Sequence, residues 1–206
     1  HVRTDIVKYL KGTEDFQLSR IQFNSFFKPS KDTFLKFSAG ILEDMFAGFG
    51  SEFLFKPFHR NVAIGAELWR VQQRGYSDPF SFLDYKTTTG FLSVYYASPF
   101  YNYDFAIHLG KYLAKDNGAT FEVRRTFDNG YSIGAFATFT DVSSRDYGEG
   151  SFDKGLFFKI PFNSLIKNNS KNSFSTLLRS VQRDGGQKLD DYTGVLWHEL
   201  RNVRYD

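Results

Sequence analysis

Three kinds of feature in this sequence could carry chemistry: neighbouring carboxylates, histidines and one glycine-rich segment. The carboxylates are Glu149 with Asp153, and Glu43 with Asp44. Two acids held about 5 to 10 Å apart, one of them with a raised pKa, would suit cleavage of a glycosidic bond. Neighbouring acids on a loop are more often solvated than catalytic, so these pairs alone do not predict a hydrolase.

The glycine-rich segment is GEGSFDKG at residues 148–155. It lacks the GxxxxGKS/T spacing of a phosphate-binding loop. It also runs into the strand-like stretch LFFKIPF, so no helix N-terminus would face a phosphate. Its glycines instead suit a turn at the end of a strand. We therefore expect a loop at the rim of a sheet, with Glu149, Asp153 and Lys154 in water.

The histidines are far apart in sequence, at positions 1, 59, 108 and 198, and they show no HxH or HExxH spacing. The chain contains no cysteine, which excludes disulfides and cysteine-based zinc sites. His108 could serve a serine hydrolase, but no GxSxG motif accompanies it. From the residues we predict no catalytic residue, no metal and no cofactor, and hence a protein that is not an enzyme.

Period-two alternation, typical of β-strands, runs through most of the chain. In residues 103–114 the odd positions carry mainly bulky apolar side chains and the even positions carry small or polar ones. Residues 61–68, 120–127 and 131–140 alternate in the same way. Each of these strands therefore has two faces that meet different environments.

Connectors of two kinds separate these runs. KDNG at 115–118 and FDNG at 127–130 predict tight type I′ hairpins, since Asn-Gly supplies two residues with positive φ. KPSKD at 28–32 is another short turn, and longer links are predicted at 74–88, 141–151 and 183–193. Short turns that alternate with long loops are typical of outer-membrane barrels.

The composition agrees with an all-β fold. Of 206 residues, 25 are Phe and 12 are Tyr, types that favour strands. No apolar run approaches the roughly 20 residues of a membrane helix, and the scattered basic residues do not indicate nucleic-acid binding. We predict an antiparallel transmembrane β-barrel of outer-membrane type with roughly 10–12 strands at residues 17–206. A short amphipathic helix and linker at residues 1–16 precede it.

Two architectures share this alternation, and they differ in which face is wet. In a soluble barrel or sandwich the bulky face points inward, whereas in a membrane barrel it meets lipid and the polar face lines the interior. Small residues on the polar face, and aromatic residues near strand ends as in YYASPFYNYDF at 95–105, favour the membrane version. The soluble alternative is a periplasmic β-barrel that binds carbohydrate.

In the membrane version, a set of charged side chains projects inward as the candidate polysaccharide-facing surface. These residues are Glu52, Lys56, Glu67, Asp104, His108, Glu122, Arg124, Asp153 and Lys159. The candidate rim-loop residues are Glu149, Arg183 and Asp184. With nearby Tyr rings the inward set could bind sugars by hydrogen bonds and stacking. It could equally form salt bridges that fill and stiffen the barrel, and the sequence leaves both open.

Three segments carry a resemblance to a known family: LEDMFAGFG at 42–50, GEGSFDKG at 148–155 and QRDGGQKL at 182–189. With the alternating runs between them, they resemble the C-terminal region of the YjbH/GfcD-type family over nearly all of the chain. The resemblance implies that the chain is the C-terminal part of an outer-membrane β-barrel (lipo)protein encoded with genes for exopolysaccharide or capsule export. It implies no catalytic residue.

The leading hypothesis is an outer-membrane protein that assists export of an exopolysaccharide or capsule by binding or conducting the polymer. Its expected partners are polysaccharide, outer-membrane lipid and other export proteins of the periplasm or outer membrane. A hydrolase that trims the polymer is a less favoured alternative. If the chain closes its own barrel, side chains would fill most of the interior, whereas a larger barrel completed by other strands would allow a wide lumen.

Overall fold

One antiparallel sheet accounts for most of the chain that the structure describes. The computed structural model describes residues 2–12, 18–76, 78, 80–143, 152–161, 173–179, 184–190 and 193–200. Ten strands follow one another across the sheet in chain order: β1 Ile21–Phe27, β2 Thr33–Ile41, β3 Phe46–Phe55, β4 Val62–Arg74, β5 Phe82–Ala97, β6 Tyr103–Lys111, β7 Asn117–Thr126, β8 Ser132–Thr140, β9 Asp153–Pro161 and β10 Ser173–Arg179. Two short helices accompany them, α1 at Ile6–Gly12 and α2 at Val195–Leu200. The predicted all-β antiparallel fold with a short N-terminal helix is confirmed.

The link between β4 and β5 is shorter than the sequence predicts. The prediction places it at 74–88, but β5 begins at Phe82 and runs for 16 residues. Arg74 pairs with Phe82 and Gln72 with Lys86, so the hairpin continues past the end of the neighbouring strands. The polar residues that suggested a loop lie in the extension of this hairpin.

The prediction of type I′ turns at the two Asn-Gly pairs is wrong. In the first connector Lys115 has the positive φ, 71°, while Asn117 already pairs within β7. In the second, Gly130 has a φ of 85°. Two consecutive left-handed residues occur instead at Tyr101 and Asn102, with φ values of 54° and 51°, between β5 and β6. Strand register, and not dipeptide preference alone, therefore decides which residues form the turn.

The bulky side of the sheet is exposed and the polar side is buried. In β4, Ile64 and Leu68 are 52% and 60% exposed, whereas the alternate residues Ala63 and Glu67 are 1% and 8% exposed. A sheet with one solvated face normally shows the opposite arrangement. We call the exposed side the outer face; its large side chains include Phe23, Phe37, Phe49, Phe53, Val62, Ile64, Leu68, Leu92, Val94, Phe105, Ile107, Leu109, Phe121, Ile133, Phe139, Leu156 and Leu178. The other side is the inner face.

The inner face curls around α2. The backbone N–H of Leu196 donates to Glu52 on β3 at 2.9 Å. The ring of Trp197 stacks on Tyr95 of β5 with centroids 5.0 Å apart. His198 of the same helix also contacts Arg124 on β7. A helix of six residues therefore reaches β3, β5 and β7, which indicates a curved sheet.

The core consists of two clusters on the inner face. One lies near the β2–β3 and β6–β7 connections and joins α1 to the sheet: Val2, Tyr9, Leu42, Met45, Phe46, Trp69, Val71, Leu113 and Leu189. The other surrounds α2: Leu54, Ala63, Tyr95, Ala106, Leu196 and Trp197. The hydrophobic core is thus the packing of the sheet on these short segments.

Glycines on the inner face leave room for aromatic rings on the neighbouring strand. Gly50 lies opposite Trp69, and a Cβ at this position would overlap the indole ring. Gly134 and Phe157 are related in the same way across β8 and β9. Close approach of a large ring is one reason for glycine within a strand.

Closure of the sheet is not shown. Among the described residues each strand pairs with its chain neighbours, and none of the pairings joins β1 to β10. The predicted closed barrel therefore stays a prediction. In the same part of the chain, no helix is both long and apolar enough to cross a membrane.

Candidate functional site

A row of charged residues crosses the inner face on β2, β3 and β4. The strand register places Lys36 opposite Glu52 and Glu52 opposite Glu67. All three are buried, at 4%, 3% and 8% exposure. Buried charges require partners, and the mixed signs of this row provide part of that compensation.

The same acids hold the start of α2. Glu52 accepts the N–H of Leu196, and Glu67 accepts hydrogen bonds from Thr193 and from the backbone of Gly194. The first N–H groups of a helix have no partner within the helix, and negative charge near them is favourable. The row therefore fixes α2 inside the curved sheet.

His108 belongs to the packed layer beside α2. Its Nδ1 lies 2.7 Å from the hydroxyl of Ser93, and its ring meets Tyr95 edge-on at 5.7 Å between centroids. His108 and Ser93 are 1% and 2% exposed. A substrate could not reach this pair without displacing the residues that cover it.

Arg124 connects β7 to the other side of α2. Its guanidinium lies 3.1 Å from Glu122 Oε1 and 3.3 Å from His198 Nε2. Burial lowers the pKa of His198 well below its usual value, and Arg124 lowers it further. Since a guanidinium can only donate, His198 is neutral and accepts.

A second group of charges, which we call the end cluster, consists of Arg3, Glu43, Lys188 and Asp190. Arg3 donates to the two carboxylate oxygens of Glu43 at 2.6 and 3.0 Å and to the carbonyl of Lys188 at 2.6 Å. The N–H of Asp190 donates to Glu43 at 2.8 Å. Burial raises the pKa of Glu43 against the opposing effect of Arg3. Burial alone would lower the pKa of Arg3, but Glu43 and Asp190 outweigh it and raise that pKa, so Arg3 stays charged.

Asp184 fastens the start of the described chain to its last part. One oxygen of its carboxylate accepts the backbone N–H groups of Val2, Arg3 and Thr4 at 2.9, 2.8 and 3.1 Å. This residue was predicted to lie on a rim loop. In the structure its carboxylate instead binds the backbone of Val2, Arg3 and Thr4 of the same chain.

Residues 184–190 also bind two acids in the second half of the sheet, one in the connector between β6 and β7 and one at the start of β9. The N–H of Gly186 donates to Asp116 at 2.7 Å, and Gln187 Nε2 donates to Asp153 at 3.3 Å. Burial raises the pKa of Asp116, opposed by the Gly186 N–H. This segment and α2 together form what we call the plug, residues 184–190 and 193–200.

The sequence-predicted residues occupy three kinds of position. Buried on the inner face are Glu52, Glu67, Asp104, His108 and Asp153, and partly buried are Lys56, Glu122, Arg124 and Lys159. Glu149 and Arg183 lie outside the described residues. Polysaccharide contact stays a prediction for all of these residues. In the carboxylate pair Glu43 and Asp44, both oxygens of Glu43 are engaged by Arg3 and by the N–H of Asp190.

Sequence reasoning missed several charged residues of the site, among them Lys36, Arg3, Lys188 and Asp190. Lys36 carries a usable signal, since residues 33–41 alternate and Lys36 shares a face with Ser38. Arg3 carries none, because its partner is 40 positions away. Within the described segments, no group of three or more acids and histidines is arranged to hold a metal ion.

Comparison with known proteins identifies the family. Residues 1–201 match the model of the YjbH family, which is described as exopolysaccharide biosynthesis protein YbjH. The chain belongs to the YjbH family. It is 34% identical over 193 residues to the uncharacterized lipoprotein YjbH of Escherichia coli strain K12, a match that covers 91% of this chain and 27% of that protein. The chain thus spans about a quarter of the length of this YjbH relative, and no solved structure matches it.

Proposed function

We propose that this chain is a membrane-embedded region of an outer-membrane β-barrel protein that assists exopolysaccharide export without catalysis of its own. The observation that carries the proposal is the reversed burial of the sheet, with large apolar side chains outside and charged ones inside. The family description names exopolysaccharide biosynthesis, and the Escherichia coli relative is named a lipoprotein. Both are compatible with a role at an envelope membrane.

The size of the outer face supports lipid as its surroundings. Burial of one large apolar side chain is favourable by about 1.5–3 kcal/mol, so many such side chains left in water would carry a large cost. Soluble monomers rarely expose contiguous apolar patches beyond a few hundred Å². Several strands also have the length of a tilted membrane strand, about 9–11 residues: β2, β6, β8 and β9 have 9 residues and β3 and β7 have 10. A soluble carbohydrate-binding barrel would need the opposite orientation of these faces.

The filled interior favours an anchoring role for this region over that of an open conduit. The plug occupies the inner face, and the end cluster ties it to the strands. A polymer that passed through would have to displace these segments. Handling of polysaccharide in this proposal therefore belongs to other parts of the intact protein, or to a state in which the plug has moved.

The test is a depth measurement in bilayers. This chain contains no cysteine, so single Cys substitutions in it give defined spin-label positions once any cysteine elsewhere in the intact protein has been replaced or blocked. Labels at Leu92 and Leu109, which face outward from paired positions on β5 and β6, should be accessible to oxygen and shielded from a water-soluble nickel complex. A label at Phe100, in the turn between these strands, should show the reverse.

Equal access of the nickel complex to all three positions would refute membrane embedding. The link to export has its own readout, exopolysaccharide in the culture medium of a strain that depends on the intact protein. Leu92→Arg should lower that amount, because Arg on the lipid face of a barrel costs about 2–4 kcal/mol near the midplane. Lys111→Arg, which keeps an outer-face charge, should leave it unchanged.

A further inference from the structure

The outer face is not uniformly bulky, because it contains a groove of about 500 Å³ across β1 to β5. The floor consists of the small outer-face residues Ala39 and Ala47 together with the backbone of Gly40 and Gly48, and Phe49 and Phe82 form part of the walls. This volume lies within the range of pockets that hold small ligands, about 300–1,000 Å³. The groove is therefore large enough for a flexible apolar chain.

Two glycines let the strands beneath the floor lie close together. Gly40 and Gly48 are directly paired across β2 and β3. A Cβ on Gly48 would overlap the carbonyl oxygen of Arg70, and a Cβ on Gly40 would overlap that of Ile21. Larger residues at these two positions would therefore require the strands to move apart.

Two cations lie along the groove. Arg70 on β4 and Lys86 on β5 are both exposed and both line it, and none of the described lining residues is acidic. Arg70 donates one hydrogen bond to the hydroxyl of Thr88 at 2.8 Å, which orients the guanidinium and leaves further N–H groups for a ligand. An apolar channel with two positive charges complements a ligand that has a long apolar part and one anionic group.

We propose that this groove binds an anionic phospholipid of the surrounding bilayer, with an acyl chain along the floor and the phosphate between Arg70 and Lys86. The inference rests on the proposed function, since the groove meets lipid only if the outer face is embedded. Guanidinium groups recognise phosphate oxygens by paired hydrogen bonds, and Lys adds a point charge. Each basic residue at a membrane surface contributes a factor of about five in the binding of anionic lipid.

The test is lipid retention by the intact protein. The protein is equilibrated with equal amounts of phosphatidylglycerol and phosphatidylcholine of the same acyl chains, and the bound lipids are counted by native mass spectrometry. The unsubstituted protein should retain phosphatidylglycerol preferentially. Arg70→Gln and Lys86→Gln should each lower that preference about fivefold, and Lys111→Gln, a cation of the outer face that does not line the groove, should leave it unchanged.

A second pair of variants examines the acyl chain. Ala39→Leu should fill part of the groove and lower retention of both lipids, whereas Ala135→Leu, on β8 and away from the groove, should not. A preference that persists in Arg70→Gln and Lys86→Gln overturns the proposal. A dimer that dissociates on Ala39→Leu overturns it too, since a second copy of the protein would then occupy the groove.

Failure of this inference differs from failure of the proposed function. If the spin label at Leu92 reports lipid but the lipid preference does not respond to Arg70 and Lys86, the groove alone has been misassigned. If the label at Leu92 reports water, membrane embedding is wrong and the groove has no lipid to bind.

Discussion

Replacing Arg3 with Met should loosen the end cluster. Arg3 and Glu43 are each 5% exposed and share two hydrogen bonds at 2.6 and 3.0 Å. Removal of one partner from a buried ion pair costs about 3–5 kcal/mol, because the other charge is left uncompensated. Glu43 would keep the N–H of Asp190, so we expect the lower value, about 3 kcal/mol, or an opening equilibrium about 150-fold larger.

Hydrogen exchange of the intact protein measures this opening directly. Amides of α1 and of residues 184–190 should exchange faster in Arg3→Met, since both segments are tied to the sheet through this cluster. The double variant Arg3→Met with Glu43→Gln should recover about 2 kcal/mol, because the buried charge is gone. Lys8→Met is the control: Lys8 pairs with Asp5 at 2.8 Å, but its side chain is 56% exposed, so little change is expected.

Acidification supplies an independent check on the same variant. Without Arg3, burial raises the pKa of Glu43 with less opposition. The folded variant then binds more protons than the unfolded chain, so its stability rises as the pH falls, and its deficit should shrink between pH 7.5 and 5. Exchange in α1 that changes less than about threefold in Arg3→Met, or a double variant that recovers nothing, would refute the reasoning.

Two further predictions concern the interior. The depressed pKa of His198 means that this residue binds fewer protons in the folded chain than in the unfolded chain, so it costs stability as the pH falls through about 6.5. Acidification from pH 7.5 to 5.5 should therefore weaken the exchange protection of residues 195–200, corrected for intrinsic rates, more in the unsubstituted protein than in His198→Gln, which retains Glu52 and Glu67 beside α2. An equal pH response of the two proteins would contradict this role of His198. Gly50→Ala should destabilise the sheet by about 1–3 kcal/mol, because its Cβ would overlap the Trp69 ring. The check is a lower thermal unfolding midpoint than that of Ser51→Ala, a substitution on the outer face.

The strands and the two faces of the sheet could be predicted because alternation is a local property. The residues of β6 read bulky and small in turn, and the bulky ones, Phe105, Ile107 and Leu109, are the exposed ones. No knowledge of distant residues is needed to see this pattern. The prediction that the bulky face points outward rested on the small residues of the opposite face, and it agrees with the observed burial.

The contents of the interior could not be predicted in the same way. The helix α2 has six residues, VLWHEL, too few to show a helical period, and its position is set by contacts with Glu52 and Tyr95. Opposition of Glu52 to Glu67 depends on the register of one hairpin, which side-chain pattern alone does not fix. The sequence therefore predicts that the inner face is charged, but it does not predict which residues bind those charges.

The hydrogen bonds between Asp184 and the first residues have a consequence for the order of assembly. Val2 and Arg3 bind an acceptor that lies 182 and 181 positions later in the sequence. These hydrogen bonds therefore cannot form until nearly the whole described chain is present. Until then the sheet can curl, but the charges on its concave side must stay hydrated. Expulsion of that water is then a late event that requires the plug, residues 184–190 and 193–200. The fastening of residues 2–4 therefore depends on Asp184, and a chain cut before this residue would keep a wet and loosely held interior.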